Sequence, residues 1–321
     1  MMMFKYICRR VALMFFTFFV VLAIMFTGIH LLREEESPWG HERELEEAVR
    51  RAAGWDRPIP IQYGILIRNV FTRWDWGVSL RVNYLMPVGE AIMHRLPVTM
   101  LLSAYSILVS LPTGIGLGIL AALRKNKLTD NIISTLVMIC ISVPGFVFAF
   151  FLQYFLSFRG PGLPMITMSL HEAGGSWFTW DMTRSLILPV LAMSFGTIAG
   201  FTRFVRAELT EALTSEYMLL ARAKGLTRKR AVSTHAMKSA MVPVLPNILM
   251  TFIGIVGGTI IIERIFSVPG MGNLMMRSLE LRDYNLYVAI SAFYAIIGLG
   301  ASIVFDISLG FLDPRIKMGQ R

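Results

Sequence analysis

Six apolar runs constrain this chain more than any other feature; they lie at about 11–32, 98–122, 132–156, 186–202, 244–262 and 287–309. A hydrocarbon core about 30 Å thick takes roughly 20 apolar residues per helical crossing. Backbone groups exposed to lipid must satisfy one another, so runs of this length become helices. The fourth run is the weakest, being interrupted by Pro189 and Gly196. Composition agrees, with 55% of residues hydrophobic and 16% charged, against about 45–50% and 25% in soluble domains. The expected fold is all-α, a polytopic membrane protein with six transmembrane helices.

The first run follows Lys5, Arg9 and Arg10, as the core of a signal peptide would. Its apolar core of about 20 residues exceeds the ~7–15 of such a signal. It leads into Arg33-Glu34-Glu35-Glu36 with no Ala-x-Ala site, and reads as a retained helix. Six spans put both termini on one side. With the termini cytoplasmic, the inside segments hold 17 Lys/Arg against 6 Asp/Glu, and the outside segments hold 14 against 15. Every lysine then lies inside. The positive-inside rule therefore assigns both termini to the cytoplasm. The net charge of +10 is a topology signal. A nucleic-acid reading would need basic residues gathered on one accessible face, and is set aside.

Between the runs, Arg33 to Arg51 is charge-dense and suits a short solvated helix that Pro58 and Pro60 break. Ile61 to Thr72 is amphipathic, and Trp74-Asp75-Trp76 suits headgroup-level anchors. The inside segment 203–241 is too polar to cross the bilayer. Two helical stretches are expected around Gly225, which suits the left-handed position just after a helix. Thr227 can cap the second stretch. Its first turns carry Arg228, Lys229 and Arg230, cations opposed to the helix dipole. An anionic lipid or an acidic partner would select them. Gly114, Gly116 and Gly118 sit mid-span and imply close helix packing, as do the pairs Gly196/Gly200 and Gly254/Gly258.

No G-x-x-x-x-G-K-[ST] loop occurs, so ATP is not held here in the usual way. No H-E-x-x-H occurs, and His30, His41, His94, His171 and His235 are scattered. Cys8 and Cys140 suggest neither a disulfide nor a metal pattern. No catalytic residue, metal ligand or cofactor is expected in this chain. Charges are almost absent from the spans: Glu263 and Arg264 end the fifth, and Asp306 lies near the inner end of the sixth. A proton-coupled carrier would bury a carboxylate near the midplane. Its absence argues for a pathway powered from elsewhere.

Four stretches, in order, resemble the B-type permease of dipeptide/oligopeptide ABC importers. The cytoplasmic loop reads Glu216-Tyr217-x-x-x-Ala221-Arg222-Ala223-Lys224-Gly225-Leu226, then His235-Ala236-Met237-Lys238. Gln62-Tyr63-Gly64, Asp75-Trp76-Gly77-x-Ser79 and Arg95-Leu96-Pro97-x-Thr99 resemble the segment around the start of the second span. Glu263-Arg264-x-Phe266-Ser267-x-Pro269-Gly270-Met271-Gly272 resembles the outer loop, and Leu312-Asp313-Pro314-Arg315 the C-terminal end. The broader importer pattern E-A-A-x-x-x-G followed by I-x-L-P is met only at Ala221 and Gly225.

The resemblance implies a type I ABC importer permease fold in a bacterial inner membrane. It implies four kinds of partner: a second homologous permease in a heterodimer, two cytoplasmic ATPases that bind ATP and Mg, an extracytoplasmic binding protein, and the lipid bilayer. The short helix after Gly225 would be the coupling helix, with Ala221 and Ala223 allowing close docking. Glu263, Phe266, Pro269, Gly270 and Gly272 would receive substrate or gate the outer mouth. The expected division is 1–32 as a first helix and 33–95 as an extracytoplasmic segment. The transmembrane domain would be 96–309, with coupling loop 207–243 and outer loop 263–285, and 310–321 a cytoplasmic tail. Peptides are the implied cargo. A permease for nickel or another small solute, or a secondary carrier, is the alternative.

Overall fold

The computed structural model describes residues 2–31, 43–52, 54–254 and 259–312. The described residues hold thirteen α-helices and, outside helices, one isolated bridge, Val78 with Pro87, and no strand. The helices are α1 (Met2–Leu31), α2 (Arg43–Ala52), α3 (Ile59–Arg73), α4 (Val88–Leu123), α5 (Leu128–Ser142) and α6 (Gly145–Leu152). They continue with α7 (Trp180–Thr214), α8 (Glu216–Ala223), α9 (Arg228–Ala231), α10 (Met237–Ile253), α11 (Ile260–Ile265), α12 (Met271–Glu280) and α13 (Tyr284–Leu312). Short π-helical turns extend α6 through Gln153–Phe158 and join α9 to α10 through Val232–Ala236.

Among the described residues four stretches are long and apolar enough to cross a membrane: Cys8–Leu31, Val88–Leu123, Trp180–Thr214 and Tyr284–Asp306. The expected third span is a pair of helices, bent by 103° between Ser142 and Gly145. Proline explains the bend: Pro144 has no N–H and pushes Val143 to an extended conformation (φ −91°, ψ 127°). The expected fifth span is interrupted in sequence as well. Pro243 and Pro246 lie inside α10, and residues 255–258, including Gly258, are outside the described residues. The C-terminal Asp313-Pro314-Arg315 also lies outside them.

The fourth expected span is longer than its apolar run. α7 starts at Trp180, capped by Thr179, passes through Pro189 and continues to Thr214. Beyond residue 202 its surface is charged. Thr202, Val205, Leu209 and Ala212 nonetheless form a buried stripe at helical spacing. Packing of that stripe explains why the helix does not stop where hydropathy falls.

The chain divides into two compact units. The first holds residues 1–97 and 269–303, the second 98–268 and 304–321. In the first, Phe18, Leu22, Phe26 and Ile29 of α1 pack against Tyr284, Val288 and Ala292 of α13. Tyr63 ties α3 to α1 by donating its hydroxyl to the Phe19 carbonyl at 2.8 Å. Burial pushes the Tyr63 phenol up. Trp74 stands exposed, as a membrane anchor would, whereas Trp76 is packed into the core beside it.

In the second unit α4 and α7 meet along a seam of small residues. Side chains at Gly114 or Gly118 would come within 3.0 Å of α7, and the Thr202 hydroxyl donates to the Gly114 carbonyl. Ser106 and Ser194 hydroxyls meet at 3.2 Å in the same seam. This is the close packing expected of the glycine run, carried by the two glycines four residues apart. Gly116, Gly196, Gly200 and Gly254 have open space at the Cβ position. Close packing within the chain is therefore not what they provide.

Candidate functional site

The Gly225 loop occupies one part of the second unit. α8 ends in a Schellman motif, with Gly225 N–H bonded to the Arg222 carbonyl at 3.0 Å and Leu226 N–H to the Ala221 carbonyl at 3.2 Å. Gly225 has φ +85°, the conformation its sequence position required. Thr227 caps α9, accepting from the Arg230 N–H. The helix after Gly225 is a single turn that runs on through the π turn into α10, so the free-standing short element is α8.

α8 has two faces. Met218 and Ala221 are buried against Leu209 and Ala212 of α7, Ala122 of α4, and Ala231, Val232 and Ala236. Ala221, expected to allow close docking, packs inside the chain in this conformation. Ala223, Arg222, Lys224 and His235 are exposed, as are Glu216 and Tyr217. Leu219 and Leu220 are also exposed, Leu219 at 66%. Hydropathy does not single out these two leucines; only the burial of the opposite face marks them as an uncovered apolar ridge.

An ion pair between half-buried Arg206 and buried Asp130 joins α7 to α5. Arg206 of α7 donates Nε to Asp130 Oδ1 at 2.6 Å and Nη2 to Oδ2 at 2.8 Å. Asp130 also accepts from the Asn126 N–H and the Ser134 hydroxyl. Both charges were read from sequence as topology markers alone. Their pairing across 76 residues has no sequence signal.

The Glu263 loop turns the other way. Glu263 and Phe266 are both 0% exposed. Thr99 donates its hydroxyl to Glu263 Oε1 at 3.0 Å, which joins two of the motifs read separately in the sequence. Phe266 packs with Val98, Leu102, Ala149 and Met182, and its carbonyl accepts the Thr167 N–H at 2.8 Å. The left-handed residue of this loop is Ser267 (φ 51°). Gly270 is extended and forms the N-cap of α12. In the first unit Gly270 and Gly272 are buried and Pro269 is half-buried. Arg95 reaches the Pro269 carbonyl at 3.5 Å. None of these five residues except Pro269 offers surface to a partner in this conformation.

Asp283 is a polar anchor that the sequence reading did not single out. Its side chain lies in a residue only 2% exposed. Oδ2 accepts from the Ser79 hydroxyl at 2.5 Å and from the Arg81 and Val82 N–H groups at 3.0 Å each. Gly77 (φ +83°) sits against Asn285, whose amide donates to the Val78 carbonyl at 3.1 Å. The motif Asp75-Trp76-Gly77-x-Ser79 thus folds onto the start of α13. Among the described residues no group of three His, Cys, Asp or Glu side chains has metal-binding geometry.

Residues 114–318 match the family described as "Binding-protein-dependent transport system inner membrane component". The chain is 34% identical over 319 residues to "Dipeptide transport system permease protein DppB" of Lactococcus lactis subsp. cremoris (strain MG1363), covering 98% of this chain and all of that one. It is 29% identical over 319 residues to "Glutathione transport system permease protein GsiC" of Shigella flexneri serotype 5b, covering 98% of this chain and 99% of that one. A solved chain described as "Crystal structure of an amino acid ABC transporter with histidines" superposes with a TM-score of 0.50 at 18% identity, covering 70% of this chain and 94% of that one, a likeness of fold. The chain belongs to the family of binding-protein-dependent transport system inner membrane components, as a permease subunit of a bacterial inner membrane and not an enzyme.

Proposed function

We propose that this chain forms half of the transmembrane pathway of an ATP-driven peptide importer. The names of its relatives supply the cargo class, since dipeptides and glutathione are both short peptides. The observation that carries the pathway reading is a face shared by α7 and α10. Gly200 and Asn247 are exposed there, and Thr197 and Thr251 are half-buried, around a cavity of about 380 Å³. Polar groups facing lipid are costly, so such a face belongs against a wet passage or another subunit. The open Cβ positions at Gly196 and Gly200 extend it.

The partners follow from the family reading: a second permease, two cytoplasmic ATPases that bind ATP and Mg, and an extracytoplasmic binding protein. Six crossings with both termini cytoplasmic fit the charge asymmetry, with α10 and α11 sharing the fifth. α8 is the element that docks in the ATPase, through Tyr217, Leu219, Leu220 and Ala223, while Gly225 and Leu226 fix its turn. The Glu263 loop acts as an internal strut behind the outer mouth, and reaches the binding protein only if it rearranges.

The test is reconstitution of the four-component complex in liposomes, with dipeptide uptake measured with and without ATP. ATP-dependent uptake that Asn247→Leu largely abolishes, with complex assembly intact, supports the reading. Unchanged uptake by that variant removes this face from the path. Uptake without ATP overturns the importer in favour of a secondary carrier.

A further inference from the structure

The three cations at 228–230 have no place in the mechanism above, yet they oppose the dipole of the helix they begin. Beside them lies a groove of about 610 Å³. Its floor is apolar, formed by Ile119 and Leu123 of α4, Val232 of the π turn and Met237 of α10. Arg228 and Lys229 stand at its rim. The apolar run of α4 ends at about 122 and Arg124 and Lys125 follow it, so the groove lies beside the polar end of that run. Both rim cations are exposed, and among the described residues no carboxylate pairs with either. An apolar channel of acyl-chain character that ends under two unpaired cations is the complement of one amphiphile with a negative head.

We infer that this groove binds one anionic phospholipid, its phosphate on Arg228 and Lys229 and an acyl chain along Ile119, Leu123, Val232 and Met237. The groove joins the end of α4 to the junction of α9 and α10, so an occupant bridges a spanning helix to the Gly225 loop. The volume falls within the roughly 300–1,000 Å³ of small-molecule sites. A free phosphate would need the cations alone and leave the apolar floor exposed to water. An acidic protein face would likewise need only the cations.

The full complex, purified in mild detergent after incubation with vesicles of equal phosphatidylcholine and phosphatidylglycerol, gives the readout by native mass spectrometry. One retained phosphatidylglycerol per copy of this chain is expected. Arg228→Gln with Lys229→Gln should lose it, Ile119→Trp should lose it by filling the groove, and Lys125→Gln should keep it. Retention in the double variant, or no preference over phosphatidylcholine, overturns the inference. Loss in the double variant but retention in Ile119→Trp reduces the site to surface phosphate binding and also overturns it. Release of the ATPases by the double variant with lipid unchanged assigns the cations to an acidic protein face instead.

Discussion

The Gly225 loop and the Glu263 loop resemble one family's sequence about equally well, but the fold uses them in opposite ways. In the first, a glycine-capped helix buries one face and leaves Leu219 and Leu220 uncovered. In the second, a carboxylate and a phenylalanine are wholly enclosed and tied to Thr99 and Thr167. A sequence signature therefore says that a stretch is constrained, not by what. Constraint by a partner leaves apolar surface exposed; constraint by the chain itself leaves polar groups buried and bonded.

Variants can break or sharpen that contrast. The largest effect is expected from Asp283→Ala, which strips one acceptor from Ser79, Arg81 and Val82 at once. A buried donor left unpaired costs about 1–3 kcal/mol, so a loss of at least ~3 kcal/mol is expected. Thermal unfolding of the purified chain in detergent measures it. Glu263→Ala should follow at ~2 kcal/mol, as the Thr99 hydroxyl loses this acceptor and the enclosed site a polar group. If its melting temperature matches the parent while uptake is lost, the Glu263 loop is a functional surface and the contrast fails.

Gly225→Asp comes next. Nothing lies within 4 Å of the new Cβ, so the cost is torsional, about 1–2 kcal/mol at φ +85°. The protein should stay in the membrane while ATP hydrolysis and uptake uncouple; full uptake would remove Gly225 from the coupling turn. The smallest change in stability, within ~0.5 kcal/mol, is expected from Leu220→Asp on the exposed ridge. Its effect should appear as loss of co-purifying ATPase. ATPase retained at the parent level would show that the ridge faces something else.

Interactions within one helical turn were legible from residues alone. The apolar runs, the left-handed Gly225, the Thr227 cap and the amphipathic α3 all depend on neighbours a few positions apart. Even the extension of α7 was present as spacing, in Thr202, Val205, Leu209 and Ala212, though hydropathy masked it. The three glycine sets show where this stops. All have spacing suited to close packing, yet within the described residues only Gly114 and Gly118 meet a helix of the same chain. Spacing marks a smooth face, and only the packing of helices decides what covers it.

The same holds for the polar anchors. Thr99 with Glu263, Ser79 with Asp283 and Asp130 with Arg206 are 164, 204 and 76 residues apart. Each residue reads alone as a surface charge or a motif letter. A buried carboxylate is stable only where the fold brings donors to it. The sequence by itself determined a membrane chain of helices and its turns, because these follow from local hydrogen bonding and transfer into lipid. Tertiary structure alone decided which conspicuous residues became struts and which remained surface, because that depends on partners supplied from elsewhere in the chain.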